Sequence, residues 1–353
     1  LQVKHQTRLF VNSEGSMITE TQPYWQLEAY LWLLSDKGDG IPWTISHFVS
    51  DPAELPSLAE FRKEIRAAAK LLDRISNAER VHSFSGPVLL DPIPAGLLIH
   101  EAMGHRLEGN RLRSGGEART FADSLGKKVL PDFLSLSDDP RESHLSLNDD
   151  SSQSLIGHYR YDDEGSPSDN ASLIESGKLS GYLTGRVPVN KRHRSNGHAR
   201  SNHHERAISR MGVTRLHAHE KSDPLKLKQQ LIDEIKRQGV PYGIRILNAS
   251  SGETSTDAYD FQAFLGEINL AAKVFPDGRE ELIRGVNFVG TPLNAINGII
   301  AAGDDSVADN AWCGAESGMI PVSTICPSLL IQNLELQSKA DTPYTQYFYP
   351  MPS

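Results

Sequence analysis

The sequence predicts an α+β fold, a strand-rich mixed sheet architecture with one helix that carries a His-Glu-x-x-x-His motif. Short runs of β-branched and aromatic residues, separated by Gly and Pro turns, dominate the second half of the chain. Only a few segments combine a helical period with capping residues. The 353 residues are 38% hydrophobic and 23% charged, which is enough apolar material for an ordered core.

The N-terminal elements are predicted from aromatic strand patterns and helix caps. Ser57 followed by Glu60 forms a capping box for an amphipathic helix. Asp91 and Pro92 are typical of an N-cap followed by proline at the first helical position. The predicted elements are strands at Leu9–Thr19, Trp25–Leu34 and Pro87–Leu90, a turn at residues 37–40, and helices over Ser57–Ile75 and from Pro92 through Ile99.

The remaining elements are mainly strands and hairpins, after a polar segment at Ser114–Ser154 that is predicted to be a long surface segment or a poorly ordered loop. A second capped helix is expected from Pro224 to Gly239. The other predictions are hairpins at Leu173–Leu183 and Lys273–Ile283, strands at Val240–Leu247, Gly285–Gly290 and Ser328–Leu336, a short helix from Pro292 closed by Gly303, and an aromatic-rich tail at Pro343–Ser353.

Composition excludes several classes of protein. The net charge of −9 disfavours a surface that binds nucleic acid as a whole. No apolar run approaches the ~18 residues of a membrane helix, so no membrane partner is expected. Two cysteines exclude a disulfide scaffold. The first residues contain no apolar signal segment, and we expect a cytoplasmic location.

The segment from His100 to His105 is the strongest candidate for chemistry. It resembles the H-E-x-x-H helix in which two histidines bind zinc and the glutamate accepts a proton from water, but the spacing is one residue longer. At about 100° per residue, five steps place the two side chains about 140° apart on a regular helix. Either a π-bulge or a left-handed turn at Gly104 would bring the histidines together. The spacing leaves both open, as well as a buried helix with structural histidines.

Four ordered blocks resemble the TldD/PmbA family of zinc metallopeptidases. Residues 100–109, HEAMGHRLEG, are similar to the family signature H-E-A-x-G-H-x-x-E. Residues 161–167 and 173–183 are similar to its D-D-E-G-T-P and L-I-E-x-G-x-L-x-G-Y-L blocks. The last block, C-G-x-x-G-x-x-V-P-V, resembles Cys313-Gly314 followed by Gly318, Pro321-Val322 and Pro327. The resemblance therefore spans nearly the whole chain.

The resemblance implies a zinc-dependent peptidase of the catalytic-subunit type, acting on peptides or unfolded protein segments. It implies that His100, His105 and Cys313 hold Zn²⁺ and that Glu101 activates water. It also implies a homodimer, or a heterodimer with a related subunit that lacks the motif. We expect residues 1–85 to be the end of an N-terminal α/β region and residues 86–353 to be the C-terminal metallopeptidase domain.

The residues around these positions support more than one interpretation. Cys313 is expected in a Gly/Asp-rich loop from which a thiolate reaches a metal, although a buried free cysteine is the ordinary alternative, which Cys326 fits better. Glu108 either orients a ligand imidazole or is a solvated carboxylate at a helix end. Asp162 and Asp163 either bind a metal or a substrate ammonium group, or stabilise a turn.

A local basic segment, residues 191–206, supports an alternative function. It contains five Lys or Arg residues and one acid, and it would suit a non-catalytic regulatory protein such as a DNA gyrase modulator, to which the family has been linked. No aromatic residues alternate with these charges, which disfavours nucleic acid as the partner. A metal-dependent hydrolase of non-peptide amides is a third possibility.

Overall fold

Among the described residues, four α-helices, three larger β-sheets and two two-stranded sheets make up the α+β fold that the sequence predicts. The computed structural model describes residues 1–339 except 36, 37, 39, 114–120, 148–150, 190–193, 203, 255–263 and 291. The tail prediction at Pro343–Ser353 lies outside the described residues, as do two of the four residues of the predicted turn at 37–40. Within the described part of the chain, no helix has the length and apolar character needed to cross a membrane.

The elements are as follows in chain order. The helices are α1 (Leu58–Ser76), α2 (Pro92–Ile99), α3 (Pro224–Gln238) and α4 (Pro292–Asn297). The strands are β1 (Gln2–Val11), β2 (Met17–Leu34), β3 (Gly40–Val49), β4 (Glu79–Arg80), β5 (Ser83–Leu90), β6 (Leu134–Asp138), β7 (His144–Ser146), β8 (Ser152–Ser154), β9 (Ala171–Glu175), β10 (Lys178–Leu179), β11 (Ala199–Arg200), β12 (Ile208–Ser209), β13 (Val213–Ala218), β14 (Gly243–Thr254), β15 (Phe264–Val274), β16 (Glu280–Arg284), β17 (Val286–Gly290), β18 (Ile299–Ala302), β19 (Val307–Ala315), β20 (Gly318–Cys326) and β21 (Leu329–Ser338).

Two large mixed sheets enclose the main core. One has the strand order β14-β5-β21-β17-β15-β16-β4, with β18 paired to β21, and the other has the order β10-β9-β6-β13-β20-β19. Most neighbours are antiparallel, but β13–β20, β14–β5 and β16–β4 are parallel. Helix α2 contacts β14 of the first sheet and both β19 and β20 of the second. It therefore occupies the position at which the two sheets meet.

The third sheet has the order β1-β2-β3 and carries α1. The predicted capping box of α1 is confirmed: the Ser57 side chain accepts from Glu60 N, and the Glu60 side chain accepts from Ser57 N. Its apolar stripe of Phe61, Ala68, Leu72 and Ile75 is buried, which anchors the helix to the sheet.

Three predicted elements were wrong. Leu9–Thr19 is not one strand, because Asn12 Oδ1 accepts from Glu14 N and Ser16 N and so closes a turn between β1 and β2. The polar segment 114–154 contains β6, which pairs with β13 and β9 inside the six-stranded sheet. The helix from Pro292 ends at Asn297 and is followed by strand β18, because pairing with β21 prevails over the local pattern.

Candidate metal centre

The backbone widens where α2 ends. Residues His100–Gly104 form a π-helical turn, and His105–Leu107 continue as a short 3-10 turn. A π turn returns to the same face after about five residues, so the two histidines lie together despite their spacing. Their ring centroids are 5.0 Å apart. Gly104 has φ −52° and ψ −62°, so the left-handed alternative does not occur.

Two contacts explain why the π turn is stable here. Arg106 Nη1 donates to the carbonyl oxygens of Glu101 at 2.7 Å and Ala102 at 3.2 Å, which supplies partners for buried carbonyl groups. Burial lowers the pKa of Arg106 to about 10. Gly104 packs directly on Met211, and a Cβ at this position would lie 2.1 Å from Met211 Sδ. The glycine is therefore needed for close packing, and its φ requires no special freedom.

Three donor atoms from two distant segments meet at this turn. Cys313 Sγ lies 3.2 Å from His100 Nε2 and 3.4 Å from His105 Nε2. The three atoms all lie within 4.8 Å of one another. In a tetrahedral zinc site with ordinary Zn–S and Zn–N bond lengths, sulfur and nitrogen ligands are about 3.5 Å apart. The observed separations and the mixed thiol–imidazole donor set therefore fit a zinc ion.

Cys313 lies on a strand and not in the predicted Gly/Asp-rich loop. It belongs to β19, an edge strand of the six-stranded sheet whose partner is β20. The prediction was wrong because Gly314 and the nearby acids suggested a loop, whereas non-local pairing forms the strand. The consequence is a rigid position for the thiol, which is 5% exposed.

The outer ring nitrogens of both histidines also have partners. Glu108 Oε1 lies 3.0 Å from His105 Nδ1, and Thr324 Oγ1 lies 3.4 Å from His100 Nδ1. Such contacts fix ring orientation in metal sites and leave Nε2 for the ion. Glu108 is fully buried, so it is not a solvated carboxylate at a helix end.

Two buried arginines complete the charge network. Arg111 Nη2 donates to Glu108 Oε2 at 3.0 Å. Arg210 Nη2 donates to Cys313 Sγ at 3.2 Å and to Cys313 O at 2.7 Å, and Arg210 Nε lies 3.4 Å from Glu108 Oε1. Sequence reasoning missed Arg210, since no local pattern marks it.

The electrostatics of the three donors favour a thiolate. Burial opposes ionisation of Cys313, but His100 and His105 prevail and hold the pKa of this thiol well below its usual value. Burial likewise opposes the charge on His105, yet Cys313 and Glu108 raise the pKa of its imidazole well above the ordinary value. Because zinc binds the thiolate form of cysteine, this environment suits a ligand role.

The comparisons with known proteins identify the family. A model of the PmbA/TldA metallopeptidase C-terminal domain matches residues 83–338. The chain belongs to the PmbA/TldD metallopeptidase family. This PmbA/TldD chain is 29% identical over 257 residues to a metalloprotease TldD homolog of Buchnera aphidicola, covering 71% of this chain and 47% of that protein. It is 24% identical over 252 residues to a zinc metalloprotease TldD homolog of Saccharolobus solfataricus, covering 71% and 51%. The chain thus spans about half the length of these relatives.

Solved structures of similar fold support the same architecture. TldE of Thermococcus kodakarensis superimposes with a TM-score of 0.67 at 15% identity, covering 95% of this chain and 68% of that one. A proposed modulator of DNA gyrase from Thermotoga maritima gives a TM-score of 0.66 at 17% identity, covering 93% and 66%. At these identities the likeness concerns the fold alone. The predicted boundary between residues 85 and 86 stays a prediction, and residue 86 lies within β5.

A cavity of about 480 Å³ opens beside the donors of this PmbA/TldD chain. Its lining includes His100, Glu101, Cys313 and Asp309. Glu101 is buried, with 6% exposure, and β14 approaches it closely at Gly252, where a Cβ would lie 2.8 Å from Glu101 Cγ. The cavity therefore brings a carboxylate and three potential zinc ligands to one space.

Asp162 and Asp163 adopt the turn alternative. Asp162 accepts from Glu164 N and Ser166 N through Oδ1, and burial raises its pKa to about 6. Asp163 accepts from Arg8 and from Ser201 N. Asp162 also accepts from Ala199 N of β11, whereas Asp163 connects its loop to β1 through Arg8, and neither carboxylate belongs to the cluster of donor atoms.

The basic segment is only partly described, because residues 191–193 and 203 lie outside the described residues. Within the described part, His198 is fully buried beside Asp138, with Nε2 and Oδ1 3.2 Å apart. Arg200 donates to the carbonyl oxygens of Met211 and Pro321. These two side chains contribute to the interior of the domain.

Proposed function

We propose that this chain is a zinc-dependent peptidase that hydrolyses peptides or unfolded protein segments. The observation that carries the proposal is the convergence of His100 Nε2, His105 Nε2 and Cys313 Sγ beside a cavity that also contains Glu101. Three protein donors leave a fourth position open, which is typical of catalytic zinc sites. The metalloprotease names of the relatives support the same reaction class.

Each residue then has a defined role. The two imidazoles and the thiolate hold the ion, with Glu108 and Thr324 fixing the rings. Zinc, when bound, supplies Lewis-acid polarisation of the scissile carbonyl and favours ionisation of the attacking water. The Glu101 carboxylate accepts the proton of that water and delivers it to the leaving amine. The Cys313 thiolate remains a ligand and takes no part in covalent chemistry.

Replacing Glu101 with glutamine tests the proton transfer. We expect hydrolysis to fall by about 10²–10⁴-fold because glutamine cannot accept the proton. Zinc content should stay at the wild-type level, since the side chain is not a proposed ligand. The measurement is cleavage of a fluorogenic peptide together with elemental analysis. Glu335→Gln, an exposed carboxylate on β21, is the control. A Glu101→Gln rate above about a tenth of wild type would exclude the role of general base.

Cysteine reactivity tests the ligand assignment separately. Cys313 and Cys326 are both buried, but among the described residues the cluster of three potential metal ligands contains Cys313 and not Cys326. Zinc should protect Cys313 from alkylation, and a chelator should expose its low-pKa thiol. Burial raises the pKa of Cys326 well above its usual value, so Cys326 should be inert in both states. Equal labelling of Cys313 with and without chelator, in protein that carries zinc, would refute the assignment.

We also propose that the active assembly is a dimer, with a second copy or with a related subunit that lacks the motif. Support comes from family membership. The mass of the protein in solution, with and without a co-expressed relative, tests this proposal.

The alternative of a regulatory protein acting through residues 191–206 has weaker support because His198 and Arg200 are directed into the domain. Purified protein that contains no zinc and still binds a regulatory partner through residues 191–206 would favour that alternative.

A further inference from the structure

Arg210 is a buried cationic residue whose charge the proposed chemistry does not use. Its side chain has no exposure, and it is not among the residues that line the cavity beside the donor atoms. Burial of a guanidinium group is costly unless its N–H groups are bonded and its charge is compensated. The partners of Arg210 therefore indicate which part of the site its charge acts on.

The side-chain hydrogen bonds of Arg210 go to the hairpin formed by β19 and β20. Nη2 donates to Cys313 O at 2.7 Å and to Cys313 Sγ at 3.2 Å. Nη1 donates to Ser317 Oγ at 2.9 Å and to Gly318 O at 3.0 Å. The remaining nitrogen, Nε, lies 3.4 Å from Glu108 Oε1. The guanidinium group thus joins the thiol of one proposed ligand to the carboxylate on the other side of the site.

The backbone that carries Arg210 is itself fixed by the interior of the domain. Arg210 N donates to His198 O at 2.9 Å, and Arg200 Nη1 donates to Met211 O at 2.6 Å. Met211 packs on Gly104 of the π turn, where a Cβ would lie 2.1 Å from its sulfur. Two consecutive residues therefore contact both halves of the site, the turn that carries the histidines and the strand that carries the cysteine.

The groups around Arg210 that can carry a negative charge are a carboxylate and the thiol. Among the described residues, Glu108 and Cys313 are the two such groups in contact with it. Glu108 is shared with Arg111 and His105. The Cys313 thiolate is therefore the second negative group that compensates the buried guanidinium. A hydrogen bond between charged groups is about twice as strong as one between neutral groups.

We propose that Arg210 is a positioning residue that holds the Cys313 thiolate in place and withdraws negative charge from its sulfur. This inference rests on the proposed zinc-dependent peptidase function. A thiolate donates more charge to a metal ion than an imidazole does, and this weakens the ion as a Lewis acid for the scissile carbonyl. An N–H donor on a cationic group polarises the sulfur in the opposite direction. Arg210 thereby allows a thiolate ligand and preserves the polarising power of the ion.

Cobalt is the probe for this effect, because a cobalt–thiolate bond gives a charge-transfer band whose energy depends on the sulfur. The protein is stripped of metal with a chelator and titrated with Co²⁺. An N–H donor lowers the energy of the sulfur lone pair, so Arg210→Met should move the band to longer wavelength. Arg111→Met is the matched control, because Arg111 is also buried and binds Glu108, but its hydrogen bonds within the described chain do not include Cys313. Its band should stay at the wild-type wavelength.

A second variant and the kinetics separate charge from fit. Arg210→Lys keeps the positive charge but lacks the planar fork that reaches the sulfur and the hairpin together, so its band should lie between those of wild type and Arg210→Met. With zinc bound, kcat for a fluorogenic peptide should fall by about 10–100-fold in Arg210→Met. KM should change little, because Arg210 does not line the cavity. Arg210→Lys should recover part of kcat.

A purely structural role of Arg210 would give a different result. Arg210→Met would then lower zinc affinity or stability and leave the cobalt band at the wild-type wavelength, or Arg111→Met would shift the band equally. Either result refutes the effect on sulfur. Loss of the fold in both Arg210→Met and Arg210→Lys, measured by circular dichroism, would show that Arg210 acts on the whole domain and would likewise refute the inference.

The two proposals fail in distinguishable ways. Wild-type protein that cleaves peptides, with a cobalt band that Arg210→Met does not move, would refute the role of Arg210 and leave the peptidase function intact. Protein with a cobalt band that depends on Arg210, but with no cleavage of any peptide, would refute the peptidase function and retain the role of Arg210.

Discussion

Replacing Glu108 with glutamine removes one negative charge from a fully buried network. The carboxylate contacts His105 Nδ1 at 3.0 Å, Arg111 Nη2 at 3.0 Å and Arg210 Nε at 3.4 Å. Burial alone would raise the pKa of Glu108, but His105 and the two arginines outweigh this effect and hold the pKa below its usual value. Glutamine keeps the shape but leaves two buried guanidinium groups with less compensation. Breaking a buried ion pair in this way costs about 3–5 kcal/mol.

The same substitution should weaken metal binding. Glutamine can still accept from His105 Nδ1, but without the charge that makes the imidazole a better donor to zinc. Loss of such a supporting contact typically reduces metal affinity by about 10–100-fold. Arg210, which also donates to Cys313 Sγ at 3.2 Å, would lose part of its anchoring, and this should add to the effect.

Two assays and a matched control separate these effects. Competition with a chromophoric chelator gives zinc affinity, and urea unfolding of the metal-free protein gives the free energy of unfolding. Glu316→Gln is the control because Glu316 also binds Arg111, but its side chain is 56% exposed. An exposed pair contributes about 1 kcal/mol or less, and zinc affinity should be unaffected. If Glu108→Gln matched Glu316→Gln in both assays, the argument for Glu108 as the support of His105 would be wrong.

Three further substitutions test the framework. Gly104→Ala should cost about 1–3 kcal/mol of unfolding free energy and reduce zinc affinity, because its Cβ would overlap Met211; Met211→Ala in the same chain should restore part of both. Cys326→Ala should retain zinc and lose only about 1 kcal/mol. The folded-state pKa of Asp162, about 6, exceeds its ordinary value of 3.8, so its stabilising contribution is complete below pH 4 and lost as pH rises through 6. The stability difference between wild type and Asp162→Asn should therefore fall by up to about 3 kcal/mol from pH 4 to 7 in urea titrations, and parallel curves would contradict this.

Local signals were sufficient to predict several elements. The capping box at Ser57 located α1, and Asp223 with Gly239 bounded α3, because caps and a 3.6-residue period act within a few residues. Strand β6 was missed because it is short and lies in a polar segment, although three of its five residues are buried in the folded chain. Its partners β9 and β13 are distant in sequence, so the pairing that stabilises this short alternating segment cannot be seen locally.

The same limit applies to the site. His100, Glu101 and His105 could be selected because they occupy one segment whose spacing can be compared with helix geometry. The close packing of Gly104 on Met211, which is more than 100 residues away in the chain, is a non-local contact that the spacing of the histidines does not reveal. Arg210 could not be found for a similar reason, since only the folded chain brings it to Cys313.

The origin of the donors links the metal site to the packing of the whole domain. His100 and His105 follow α2, which packs on β14 of the eight-stranded sheet, whereas Cys313 belongs to β19 of the six-stranded sheet. An ion held by all three would connect the two sheets at the place where α2 contacts both. Any opening between the sheets would separate thiolate from imidazoles, so the geometry of the donors depends on the core around Leu98 and Ile99, which is fully buried. Zinc binding and the packing of the two sheets would therefore stabilise each other.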